Sequence, residues 1–88
     1  MDSPAKLPSK NNLDSLWKDD AALVKQINDA IDCAAEGNWE QSEKLLKDAE
    51  FDLEDWEPYD TSDVYYRGIW KGQINSVRQY IKENSPSN

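Results

Sequence analysis

Carboxylates are the reactive groups this chain holds in quantity. Eight of its 18 acids stand between positions 48 and 63 (Asp48, Glu50, Asp52, Glu54, Asp55, Glu57, Asp60, Asp63), a window with no Lys or Arg. Carboxylates this close can act as an acid–base pair, hold a hard cation, or present negative charge to a partner. Acid–base work needs a cleft that perturbs their pKa values, and a small helical domain with acids on its outside offers no evident one. Calcium needs a loop of the Asp-x-Asp-x-Asp-Gly kind, and the window has neither that spacing nor its glycine. A zinc site would rest mainly on carboxylates, because the chain has one cysteine, Cys33, and no His. Cys33 also lacks the neighbouring base that activates a thiol, and it reads as a small apolar filler beside a helix face. No catalytic, cofactor-binding or metal-binding residue is assigned, and the chain reads as a non-enzyme.

What remains is recognition by charge. Outside the window ten acids face ten bases, so the formal net charge of −8 is the charge of the window. Residues 64–82 reverse the sign, with Arg67, Lys71, Arg78 and Lys82 and no acid. A step of this kind concerns electrostatic partners. Phe51, Trp56 and Tyr59 interleave the acids, and aromatic anchors beside charged rims are a common build of binding hot spots. Two readings of the window stand side by side: a solvated helix flank with acidic caps, and a partner-binding face. For the second, the candidate residues are Asp52, Asp55, Trp56, Glu57, Tyr59 and Asp60. The partner expected is a protein with a basic surface, captured in a salt-sensitive way by a small adaptor or regulatory module. The alternative is an inhibitor that imitates nucleic acid, its carboxylates standing in for phosphates, although the basic stripe argues against that display. Direct contact with nucleic acid is disfavoured by like-charge repulsion. The basic stripe reads instead as pairing with the acidic window, at about 0–1 kcal/mol per exposed pair.

The elements that must position these groups are helices. Leu13, Trp17, Leu23/Val24, Ile27, Ile31 and Ala34 keep the spacing of a helix face and predict a helix near 14–36, its regular part starting near Asp19. Gly37 ends it. Asn38, with Gln41 three residues on, makes a capping-box start for a second helix near 38–56. That helix carries Trp39, Ser42, Leu46, Ala49, Leu53 and Trp56 in one stripe, and Phe51 lies off it. Pro58 stops it. A third helix near 62–84 follows an Asp60-Thr61-Ser62 cap, with Tyr66, Trp70, Ile74, Val77 and Ile81 facing inward. Gly68 and Gly72 each weaken it by roughly 1 kcal/mol relative to Ala. They mark either a close approach of another backbone or a place where the helix frays or kinks. No strand-like alternation is present. The fold class is all-α, a small antiparallel three-helix domain over 13–84. Residues 1–12, with Pro4 and Pro8, read as a disordered tail, and 85–88 as a disordered end.

Ala34-Ala35-Glu36-Gly37-Asn38-Trp39-Glu40-Gln41-Ser42, followed by Leu46 and Ala49, resembles the middle of a tetratricopeptide repeat. In that family a glycine joins two antiparallel helices, followed by an aromatic, a small, a large apolar and another small residue. Gly37, Trp39, Ser42, Leu46 and Ala49 fill those places, and Ala30 supplies the small residue of the first helix. Asp29, Cys33 and Ser42 depart from the pattern, and the closing proline comes late, at Pro58. The resemblance spans about one repeat and implies the hairpin geometry; the family's peptide groove needs several stacked repeats.

Eighty-eight residues bound the core to a modest size. One cysteine excludes an intrachain disulfide, and no apolar run reaches the length of a membrane span or a signal-peptide core. A cytoplasmic protein without membrane contact is the expectation. Four Trp, four Tyr and one Phe are more than a thin core covers, so a weak or moderate homodimer, or an obligate hetero-partner, is expected to cover the rest.

Overall fold

Gly37 is where the chain reverses. A computed structural model describes residues 6–14, 16–55, 57 and 61–85; among these are three helices, α1 Lys18–Ala35, α2 Trp39–Asp55 and α3 Thr61–Asn84, and no strand. Gly37 has φ +82°, the left-handed region that glycine enters without a Cβ clash. Its N–H donates to the carbonyl of Ala34 at 3.1 Å, and the N–H of Asn38 donates to that of Cys33 at 2.8 Å. This pair of bonds is a Schellman closure, which satisfies carbonyls that the end of α1 would leave open. Asn38 then accepts the first bond of α2, from the N–H of Ser42 at 3.1 Å.

The return of α2 along α1 is antiparallel. The Ser42 hydroxyl donates to the Ala30 carbonyl at 2.6 Å, and the Gln26 carboxamide donates to the Leu45 carbonyl at 3.2 Å. Ala30, Ala34, Ser42 and Ala49 are all fully buried, the small side chains of a close helix crossing. Helix α3 lays Trp70, Ile74, Val77 and Ile81 onto Val24, Ile27 and Ile31 of α1 and Leu46 and Leu53 of α2, all within one core. Each such large side chain contributes about 1.5–3 kcal/mol by leaving water. The topology is up-down-up.

Three sequence expectations change. The α1 stripe does not carry Leu13 and Trp17 in the helix: α1 starts at Lys18, beside the Asp19 start expected for its regular part, because Trp17 is extended at φ −62° and ψ 155°. Trp17 is then 82 % exposed, while Leu13 and Leu16 reach the core from outside the helix. Tyr66, placed in the α3 core stripe, is 46 % exposed and stacks on Trp70 at a ring separation of 5.8 Å. Residues 6–12, read as part of a disordered tail, lie on the bundle: Leu7 packs against the core and the Asn11 N–H donates to Asn28 Oδ1 at 2.8 Å. They show no apolar period because they form no helix or strand, holding through single leucines and through the buried carboxamide of Asn28, which needs partners. Residues 1–5 lie outside the described residues, and of 85–88 only Ser85 is described.

Helix α3 runs unbroken past Gly68 and Gly72, and a Cβ on either would meet nothing within 4 Å. No described helix is long and apolar enough to cross a membrane.

Candidate partner-binding site

The up-down-up order brings the start of α1, the end of α2 and the start of α3 to one pole of the bundle. Each of these ends is acidic: Asp19 and Asp20 in the first turn of α1, Asp52, Glu54 and Asp55 at the close of α2, and Asp63 in the first turn of α3. Asp19, Asp20, Asp52 and Asp55 line an open depression of about 340 Å³ with Leu23. Asp63 is near enough to act on Asp20. Burial first, then Asp63 and Asp19, hold the Asp20 carboxyl above its ordinary pKa.

These carboxylates differ in how well their own helices tolerate them. Acids at the N-termini of α1 and α3 favour the helix dipole, whereas those closing α2 oppose it, and no base stands in its last turn. The pole therefore gathers like charges around three helix ends, two N-termini whose positive dipole ends offset the acids in part and one C-terminus that adds to them. Such a place attracts a cation.

Of the six candidate residues from the sequence, the structure puts Asp52 and Asp55 on the rim of this depression and leaves Glu57 exposed just beyond α2. Trp56, Tyr59 and Asp60 lie outside the described residues. Sequence reasoning missed Asp19, Asp20 and Leu23 as members of the same surface. The adjacent Asp19-Asp20 pair is the signal in the sequence that points to the two acids.

The exposed aromatics keep to the same half of the molecule. Trp17 precedes α1, Phe51 lies in the last turns of α2 and is 70 % exposed, and Tyr65 and Tyr66 open α3 with their rings 5.6 Å apart. At the opposite pole Trp39 and Tyr80 cover each other, at a ring separation of 6.1 Å, and both pack on the core.

Among the described residues, a hydrogen-bonded ion pair between Arg78 and Glu50 joins α3 to α2. Arg67, Lys71 and Lys82 make no ion pair among the described residues. Cys33 is half-buried, and burial, then Glu36, Asp29 and Asp32, push its thiol pKa up. That keeps it protonated, and a protonated thiol is a poor nucleophile. Among the described residues no group of three or more His, Cys, Asp or Glu side chains is placed to hold a metal ion. No protein-family model matches the chain, and neither a curated relative nor a solved structure is similar to it.

Proposed function

We propose that this domain is a non-catalytic protein-binding module whose acidic pole captures a basic segment of a partner. The observation that carries the reading is the convergence of Asp19, Asp20, Asp52 and Asp55 from two helices around one open depression that Leu23 also lines. A Lys or Arg side chain fits such a place by its own build: the stem lies against the apolar Leu23 and the charged head meets the carboxylates. Trp17, Phe51 and Tyr65 supply exposed aromatic area in the same half of the molecule, and aromatic anchors carry much of the binding energy at protein interfaces. The acids steer encounter, so association is fastest at low salt. Gathering at a pole also separates this surface from a nucleic-acid mimic, which needs carboxylates in rows at phosphate spacing. The likeness of the α1–α2 hairpin to one tetratricopeptide repeat agrees with a binding role and does not define the ligand.

The test uses a fluorescein-labelled nine-residue peptide of alternating Lys and Leu as the probe. Anisotropy is read on the parent and on a variant with Asp19, Asp20, Asp52 and Asp55 replaced by Asn, at low and at physiological ionic strength. Salt-sensitive binding that the variant loses, with helix content unchanged by circular dichroism, is the expected result. Equal binding by the variant removes the pole from the mechanism. Displacement of DNA from a basic protein by the parent alone would favour the mimic.

A further inference from the structure

A second surface lies along the groove between α1 and α3, and the chain's own N-terminal segment occupies it. Residues 6–14 run back along α1 from its start: Leu13 and Leu16 pack near the turn, Asn11 meets Asn28, and Lys10 pairs with Asp32 at 3.2 Å. The centre of this contact is an amide that reads main chain. Asn28 Oδ1 accepts the Asn11 N–H at 2.8 Å, and Asn28 Nδ2 donates to the Asn11 carbonyl at 3.0 Å. One carboxamide on α1 thus takes both backbone groups of a single residue. The Asn11 side chain fills the remaining space between the helices, donating from Nδ2 to Asn28 Oδ1 at 3.1 Å and accepting from Gln73 Nε2 of α3 at 2.9 Å.

Two features mark the resident segment as a replaceable occupant. No described residue of 6–14 is buried; Leu7, Asn11 and Leu13 are half-buried and Ser9, Lys10, Asn12 and Asp14 exposed. Segments held by so few buried contacts open at lower cost than the fold as a whole. The site is also imperfectly matched. Among the described residues Gln73 Oε1 is buried without a hydrogen-bond partner, so the groove offers an acceptor that residues 6–14 do not use. Buried acceptors in native structures are nearly always paired.

We propose that the α1/α3 groove is a receptor for an extended peptide segment of a partner protein, read through Asn28 and Gln73, and that residues 7–13 are its built-in competitor. The partner segment follows the chemistry of the resident one: an apolar residue four positions before a central carboxamide residue, another two positions after it, and a Lys or Arg just before the centre to meet Asp32. A donor directed at Gln73 Oε1 lets the partner bind better than the resident segment. This surface differs from the acidic pole in that it reads hydrogen-bonding pattern and shape, with one charge contact at Asp32.

The probe is a fluorescein-labelled peptide with the sequence of residues 6–16, titrated into the full chain and followed by anisotropy. Asn11→Ala in the full chain weakens the competitor and leaves the groove whole, so it should bind the probe about tenfold more tightly than the parent, since apparent affinity scales with the fraction of open groove. Asn28→Ala and Gln73→Ala should each abolish that gain, and circular dichroism checks that both stay folded. In the parent, excess unlabelled peptide should shift the side-chain amide resonances of Asn28 and Gln73. No gain from Asn11→Ala, or undiminished binding by a folded Asn28→Ala or Gln73→Ala chain, overturns the proposal. Appearance of a dimer in sedimentation equilibrium, lost on Asn11→Ala, assigns the groove to a second copy's arm and overturns the partner reading.

Discussion

Replacing Gly68 and Gly72 by Ala should stabilise this protein. Both glycines sit inside α3, one turn apart, where the missing side chain has a conformational cost and no packing gain. A Cβ at either position meets nothing within 4 Å, so the substitution adds no clash. Glycine in an exposed helix interior is about 0.8–1.0 kcal/mol less favourable than alanine, because it surrenders more backbone freedom on folding. The two new methyl groups share no partner, so their effects should add to about 2 kcal/mol. In a domain of this size that corresponds to a rise in Tm of roughly 8–16 °C. Circular dichroism at 222 nm during heating, with a urea titration at 25 °C, measures both quantities. An unchanged or lowered Tm for the double variant would refute the reasoning, because it would require another backbone against this face in solution. Melting the parent at two concentrations tests the homodimer expectation in the same experiment: a Tm independent of concentration excludes it.

Ser42→Ala loses the hydrogen bond to the Ala30 carbonyl, worth about 1 kcal/mol, and regains part of that through better helix propensity, so a net loss near 0.5 kcal/mol is expected in urea unfolding. Ser42→Val inserts methyl groups against the Ala30 backbone and should lose about 2–4 kcal/mol; a loss no larger than that of the Ala variant would mean the helices are not in close contact there. Asp20→Asn should raise stability at neutral pH. A carboxyl whose native pKa is raised above its unfolded value costs stability while ionised, and the cost is relieved as the pH falls through the native pKa. The gain should therefore shrink on acidification and vanish below the ordinary value of 3.8, and a Tm difference independent of pH would contradict it.

How far the fold was legible follows from where the apolar spacing was regular. In α2 the stripe of Trp39, Ser42, Leu46, Ala49 and Leu53 names residues that the structure buries or packs on the core, and Phe51, off the stripe, is exposed. Gly37 was legible because a left-handed residue after a helix has few substitutes. Trp17 misled because its spacing continues the α1 stripe, while helix start is decided by local backbone conformation that apolar periodicity does not encode. The N-terminal segment escaped for another reason: its anchors, Asn11, Asn28 and Gln73, are polar, and burial of polar groups leaves no hydrophobic pattern to find. The acidic pole was half legible. Asp52 and Asp55 stood out by local density, but their union with Asp19 and Asp20 depends on tertiary packing across some thirty residues.

The way α2 ends has a consequence for how capture is felt through the molecule. Its last turn carries Asp52, Glu54 and Asp55 against its own dipole, and no basic residue there offsets them. That turn is set up to fray, so its amides should exchange with solvent sooner than those beside Leu46. Under the proposed function, a cationic group bound there would offset the local field and firm the same turn, so arrival of a partner would order it as well as neutralise it. The terminus of α2 then works as a reporter: protection of its amides rises in proportion to occupancy of the pole, and the melting temperature rises with ligand concentration by mass action.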